Sequence, residues 1–319
     1  MNYIHPEAKL HPSVTVGHFS CIHEDVEIGE GTVIDNNVTI YSGTRIGKNC
    51  HIYSGAVIGG DPQDLKYKGE KTYAIIGDNT TIREFVTIHR GTASKGKTIV
   101  GNHCLIMAYC HVAHDCLLRD HIIMSNATQL AGEVVVDDWA IIGGGSLVHQ
   151  FSHIGSHVMI QGGSKVNKDV PPYIIAAREP ISYCGINSVG LNRRAFTQEQ
   201  ITAIQNTYRL VYLSGLNVSQ AVEQIENIDA EGAFHNSKLE DDTIVGLKLT
   251  PELISQKSIL LKHFSREDLR RIDEISEELL YSSLRGKNLS SESMRDLKSY
   301  MNSLPTKRSQ ADLVEYMDT

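Results

Sequence analysis

The chain has 319 residues, with 30 Lys and Arg against 38 Asp and Glu and a formal net charge of -8. That length is ample for a buried core, and the acidic balance excludes a duplex-binding surface, which needs concentrated Lys and Arg to displace phosphate counterions. MNYIHPEAKL has no basic segment ahead of an apolar core, and no 18-residue uncharged apolar run occurs, so neither a secretory leader nor a membrane span is predicted and a cytoplasmic location is expected.

From the first residues onward the chain repeats every six. Steps of six from Ile4 give Leu10, Val16, Ile22, Ile28, Ile34, Ile40, Ile46, Ile52 and Ile58. The series breaks at 59–74, resumes at Ile76, Ile82 and Ile88, and breaks again at 89–99. A third run takes in Val100, Ile106, Val112, Leu118, Met124, Leu130, Val136, Ile142, Val148, Ile154, Ile160 and Val166. Neither an α-helix nor a two-faced strand has this period; a parallel β-helix does, each hexad forming one side of a triangular coil. The aliphatic residue points inward and stacks on its counterpart one coil away, about 4.8 Å along the axis. The two breaks are expected to be loops that leave the stacking on either side undisturbed.

Four residues after each aliphatic lies a small or β-branched residue, and Cys104, Cys110 and Cys116 occupy that place in consecutive hexads. Packing is therefore their expected role. The six cysteines form no CxxC pair, so no zinc knuckle or redox dithiol is suggested. After Pro171-Pro172 the period vanishes. Thr197 and Gln200 form a capping box ahead of an apolar stripe of Ile201, Ile204, Tyr208 and Val211, with Gly215 as the stop, which predicts a helix. A second helix is expected from Val218 to about Ile228.

Three hexads per coil place residues 18 apart in one column. His114, Gly132 and Gln150 share one, and Asp115 and Glu133 another. His111 lies three residues from His114 with Gln129 above it, and His149 flanks Gln150. An imidazole followed by a carboxylate that orients it suits general-base work near neutral pH, and a glycine beside it leaves backbone open to a substrate. A competing reading joins His111 and His114 to a histidine of another copy as zinc ligands. Surface or packing histidines are the third alternative.

Several motifs in order, PQDLKYKGE, IREFVTIHRGT, AYCHVAHDC, VDDWAIIGGGSLVHQF, DVPPY and GINSVGLNRRAF, resemble the UDP-N-acetylglucosamine O-acyltransferases of lipid A biosynthesis over roughly residues 1–226. The AREPISYCGINSVGLNRR version looks like the Bacteroidetes branch. The resemblance implies a mainly β fold: a left-handed parallel β-helix of hexapeptide repeats over 1–190 and an α-helical domain over 191–228. The chain runs on beyond the usual end of the family, and a helix cap at Ser265 to Asp268 with Ile272, Ile275 and Leu279 at helical spacing predicts a mostly helical extension over 229–319. The resemblance also implies transfer of a (3R)-hydroxyacyl chain from acyl carrier protein to the sugar 3-hydroxyl of UDP-N-acetylglucosamine, without cofactor or metal, in a homotrimer. His114 would be the general base, Asp115 its orienting partner and Gly132 the oxyanion donor. Gln63, Asp64, Lys66, His89, His111, His149, Gln150, Asn187 and Arg193 would contact substrate, and Gly162 would set acyl-chain length. Glu133 stands where many members have histidine, Val189 where glutamate is common, and Pro180 where well-known members have histidine. An N-acyltransferase acting on an amino sugar and a scaffold without chemistry remain the alternatives.

Overall fold

The computed structural model describes residues 1–213 and residue 220. Twenty-seven strands are followed by two helices among these residues. The strands build three faces of a prism, with nine, eight and ten strands. Strands of the first face run from Tyr3–Ile4 to Lys165–Val166, those of the second from Lys9–Leu10 to His153–Ile154, and the third begins at Thr15–Val16. Pairing between successive coils is parallel, with residues 18 apart in register away from the excursions, as in His111↔Gln129↔Leu147 and Val112↔Leu130↔Val148.

Most strands are two residues long because the chain turns a corner before a third can pair. In nearly every strand the first residue faces outward and the second is buried. The inward series from Ile22 to Val166 is at most 4 % exposed. Burying each such aliphatic contributes about 1.5–3 kcal/mol. Ile4, in the lowest coil, is 42 % exposed because no coil lies beneath it. The corner cysteines pack as expected: Cys104, Cys110 and Cys116 donate to the carbonyl oxygens of Arg119, Ser125 and Ala131 at 3.1–3.2 Å. Burial pushes their thiols up to about 12, 11 and 12, so they are held protonated.

At most corners one residue takes a left-handed backbone, and many are not glycine, among them Phe85, Tyr109, Asp115, Glu133 and Trp139. Stacking along the axis compensates: His103, His121, Trp139, His157 and Tyr173 form a continuous ladder of near-parallel rings. The two excursions are shorter than the sequence breaks. Strands Val57–Gly60 and Tyr73–Ile76 bracket the first, and Thr87–His89 and Lys97–Val100 the second, leaving 61–72 and 90–96 outside the strands. Those flanking residues pair with neighbouring coils although the aliphatic period has lapsed.

The helical part begins at 188. Strand Ser182–Ile186 closes the third face antiparallel to Ile174–Ala177, α1 spans Ser188–Arg193 and α2 spans Gln198–Leu213. The capping box is present, with the Gln200 side chain accepting from the Thr197 N–H at 2.8 Å and Thr197 Oγ1 accepting from the Gln200 N–H at 3.3 Å. Ile201, Ile204 and Tyr208 are buried. The expected stop at Gly215, the helix from Val218 and the extension over 229–319 lie outside the described residues.

Candidate active site

The corner between the first and second faces carries the chemistry. His114 follows strand His111–Val112 and precedes Leu117–Leu118, and both excursions leave the prism at this same corner. His114 is 8 % exposed and Asp115 1 %. His114 Nδ1 lies 2.8 Å from Asp115 Oδ2. A carboxylate only accepts, so Nδ1 carries the proton and Nε2 presents its lone pair.

Asp115 is held by more than the imidazole. Its Oδ1 accepts the backbone N–H groups of Thr92 at 2.9 Å and Lys95 at 3.2 Å, and its Oδ2 accepts the Thr92 hydroxyl at 2.6 Å. Burial alone would push the carboxyl up, but the bonds from Thr92, His114 and Lys95 outweigh it and hold it below its ordinary value. The carboxylate is therefore ionised at neutral pH.

The column arithmetic is realised in space. A Cβ placed on Gly132 would lie 2.6 Å from both His114 Nε2 and Cε1. Only a glycine lets the two coils approach this closely. At matching positions of another corner the N–H is capped by a side chain one coil on: Lys48 by Asp78, Asp78 by Asn102, Asn102 by Asp120 and Asp120 by Asp138. Gly132 has no such cap, and its N–H has no acceptor among the described residues. A free backbone donor thus stands beside the lone pair of an oriented imidazole.

His89 and His111 complete the group, their rings edge to face at 4.8 Å. Thr87 Oγ1 meets His111 Nδ1 at 2.7 Å. Burial, then the neighbouring His89 and His114, lower His111 to about 4. Burial and His114 lower His89 as well. Both are neutral near pH 7 and present polar ring atoms without adding charge. Glu133 does not leave an unpaired charge near the base: Ser94 Oγ donates to it at 3.2 Å and Lys95 Nζ lies 3.5 Å away.

Gln63, Asp64 and Lys66 occupy the first excursion at the same corner. Asp64 Oδ1 accepts the Lys66 N–H at 2.8 Å, so its side chain shapes the turn, while Gln63 and Lys66 are exposed. Arg90 anchors this loop through Asp61, the Ser42 carbonyl at 3.1 Å and the Tyr67 ring at 5.7 Å. His149 and Gln150 follow on the next coil, with His149 Nδ1–H donating to the Gln150 carbonyl at 3.0 Å.

Asn187 and Arg193 are not brought to this corner. Asn187 is buried, and its amide bonds within the fold: Nδ2 donates to the His157 carbonyl at 2.9 Å and Oδ1 caps α1 at the Gly190 N–H. His157 belongs to the corner between the second and third faces. Arg193 is exposed in the last turn of α1. Gly162 lies at the remaining corner, where an added Cβ would stand 3.1 Å from the Gly144 carbonyl. Thr92, Lys95 and Arg90 were not expected as site residues, although all three lie in or beside the IHRGT stretch.

The family described as "Udp N-acetylglucosamine O-acyltransferase; Domain 2" matches residues 169–241, and "Bacterial transferase hexapeptide (six repeats)" matches 25–60. An acyl-[acyl-carrier-protein]–UDP-N-acetylglucosamine O-acyltransferase of Burkholderia lata is 47% identical over 175 residues, which are 54% of this chain and 67% of the relative. The solved LpxA of Bacteroides fragilis, a UDP-N-acetylglucosamine acyltransferase, is 54% identical with TM-score 0.70 over 71% of this chain and 89% of its own. The LpxA of Acinetobacter baumannii is 38% identical with TM-score 0.73 over 77% and 95%. The chain belongs to the UDP-N-acetylglucosamine O-acyltransferase family. It is an acyltransferase with the family's left-handed β-helix. Among the described residues no helix is long and apolar enough to cross a membrane.

Proposed function

We propose that this chain moves a (3R)-hydroxyacyl group from acyl carrier protein to the 3-hydroxyl of UDP-N-acetylglucosamine, the first step of lipid A biosynthesis, in the cytoplasm. The observation that carries the mechanism is the pairing of His114 Nε2, made a lone-pair acceptor by the Nδ1–H bond to Asp115, with the uncapped N–H of Gly132. His114 removes the hydroxyl proton as the sugar oxygen attacks the thioester carbonyl. The new C–O bond gives a tetrahedral intermediate whose oxyanion accepts the Gly132 N–H, a donor fixed before the charge develops. Collapse breaks the C–S bond, and the departing thiolate takes the proton back from the imidazolium. Asp115 stabilises that imidazolium and keeps its tautomer.

His89, His111, His149 and Gln150 line the cleft, and Gln63, Asp64 and Lys66 approach the sugar nucleotide. Arg193 meets phosphate through its donor fork, positioned by α1, which Asn187 caps. Since Asn187 and Arg193 sit at another corner, the cleft is completed by neighbouring copies in a homotrimer. Outward apolar residues support that packing: Ile99, Leu117 and Val135 on the second face and Leu105, Ile123, Ile141 and Met159 on the third are only partly exposed. Gly162 leaves room for a long acyl chain.

The test incubates purified protein with UDP-N-acetylglucosamine and a series of hydroxyacyl carrier proteins, with products read by mass spectrometry. An O-acyl ester is expected. Its absence at every chain length overturns the assignment, and an amide formed only with an amino sugar reassigns the acceptor.

A further inference from the structure

Thr92 neither transfers a proton nor meets substrate in the reading above, yet it is 7 % exposed and its hydroxyl faces Asp115. It enters from the second excursion, not from a coil. Its Oγ1 accepts the Ser94 N–H at 3.1 Å, which directs the hydroxyl proton the other way, onto Asp115 Oδ2 at 2.6 Å. This is the same oxygen that receives the His114 Nδ1–H at 2.8 Å. The Thr92 and Lys95 N–H groups fill Oδ1. Among the described residues, every bond to this carboxylate apart from that of the histidine it orients comes from the segment Thr92 to Lys95. The same segment holds the next coil, through Ser94 and Lys95 on Glu133, and Glu133 donates its backbone N–H to the His114 carbonyl at 3.0 Å.

We infer that Thr92 is a positioning residue for the reaction: its hydroxyl holds Asp115 Oδ2 against His114 and limits how much negative charge that oxygen offers the imidazole. The inference rests on the general-base reading of His114. A carboxylate that gives part of its charge to a second donor pulls less strongly on the imidazole proton. The charged and titratable groups around His114 are Asp115 on its own coil, His111 on the preceding strand, His89 at the edge of the second excursion, and the paired Lys95 and Glu133. Among the described residues, Thr92 is the one hydroxyl bonded to Asp115 Oδ2.

The test compares T92V, which keeps the shape and the backbone bond to Oδ1 but loses the hydroxyl, with T92S, which keeps both bonds, in the full-length protein. Steady-state kcat and KM are measured from pH 5.5 to 9 with H114A alongside and thermal unfolding as a check. For T92V a roughly tenfold fall in kcat is expected, the size of a lost charge-assisted bond, with KM within about twofold and the acidic limb of the kcat profile displaced to higher pH. T92S should restore both the rate and the limb. A T92V enzyme with unchanged kcat and an unmoved acidic limb overturns the inference while leaving the base in place if H114A is inactive. T92S matching T92V, with both melting lower, also overturns it and reduces Thr92 to a structural part. Retention of activity by H114A overturns the general-base reading and this inference with it.

Discussion

Replacing Gly132 with alanine probes the site at its tightest point. The added methyl would sit 2.6 Å from His114 Nε2 and Cε1, whereas carbon atoms settle at about 3.5–4.0 Å. The ring must therefore retreat by about 1 Å, since the opposing atoms are a glycine backbone anchored by coil hydrogen bonds at Glu133 and Phe151. A displacement of that size costs on the order of 100-fold in rate, or about 2.7 kcal/mol of barrier. Gly132 is not among the glycines with a left-handed φ, so alanine fits the backbone and the damage stays local, with a stability loss of about 1–3 kcal/mol from overpacking. Initial rates with a saturating hydroxyacyl carrier protein, together with thermal melts, give both quantities. A G132A enzyme that folds and keeps kcat within threefold of the parent would refute the close approach of these coils and the oxyanion role together.

Further outcomes follow from other parts of the molecule. H114A should lose activity by about 10²–10⁴, the usual contribution of a general base, and chelation of divalent metal should leave the parent rate unchanged, whereas loss on chelation with recovery on zinc would favour a His111–His114 metal site. His111 and His157 are held at about 4 by burial, against about 6.5 when unfolded; the unfolded chain binds more protons between those values, so their contribution is complete above about pH 6.5 and is lost as pH falls toward 4. Denaturant titrations should show this slope, and H157F, which keeps a ring in the ladder, should flatten it. G162L should shift preference toward shorter acyl chains in a competition assay, and light scattering should give three times the chain mass of 35.3 kDa.

Much of this architecture was legible because a period of six has few structural solutions. The inward series, the three faces and the meeting of His114 with Gly132 all follow from counting residues. The counting fails where the chain leaves the coil. Thr92 and Asp115 differ by 23 positions, which is not a multiple of six, so no column placed them together. The strands flanking the excursions were missed for a related reason: Tyr73 and Ala74 pair with Lys97 and Thr98, but these residues carry no aliphatic signal of their own. Asn187 is a different case. The Asn-Ser-Val-Gly stretch contains a helix cap, a local role for Asn187 that the resemblance did not point to. Both excursions could have been assigned to one corner from their phase in the repeat, since each interrupts the step from the first face to the second.

That shared exit point separates two kinds of sequence change. The coils tolerate little, since inward positions between the end coils are pressed by neighbours above and below. At the exit corner, residues can be gained or lost without altering the pitch or phase of the stack. New recognition elements can therefore be built over the reacting groups while the groups themselves stay fixed, and divergence in substrate preference should concentrate in 61–72 and 90–96.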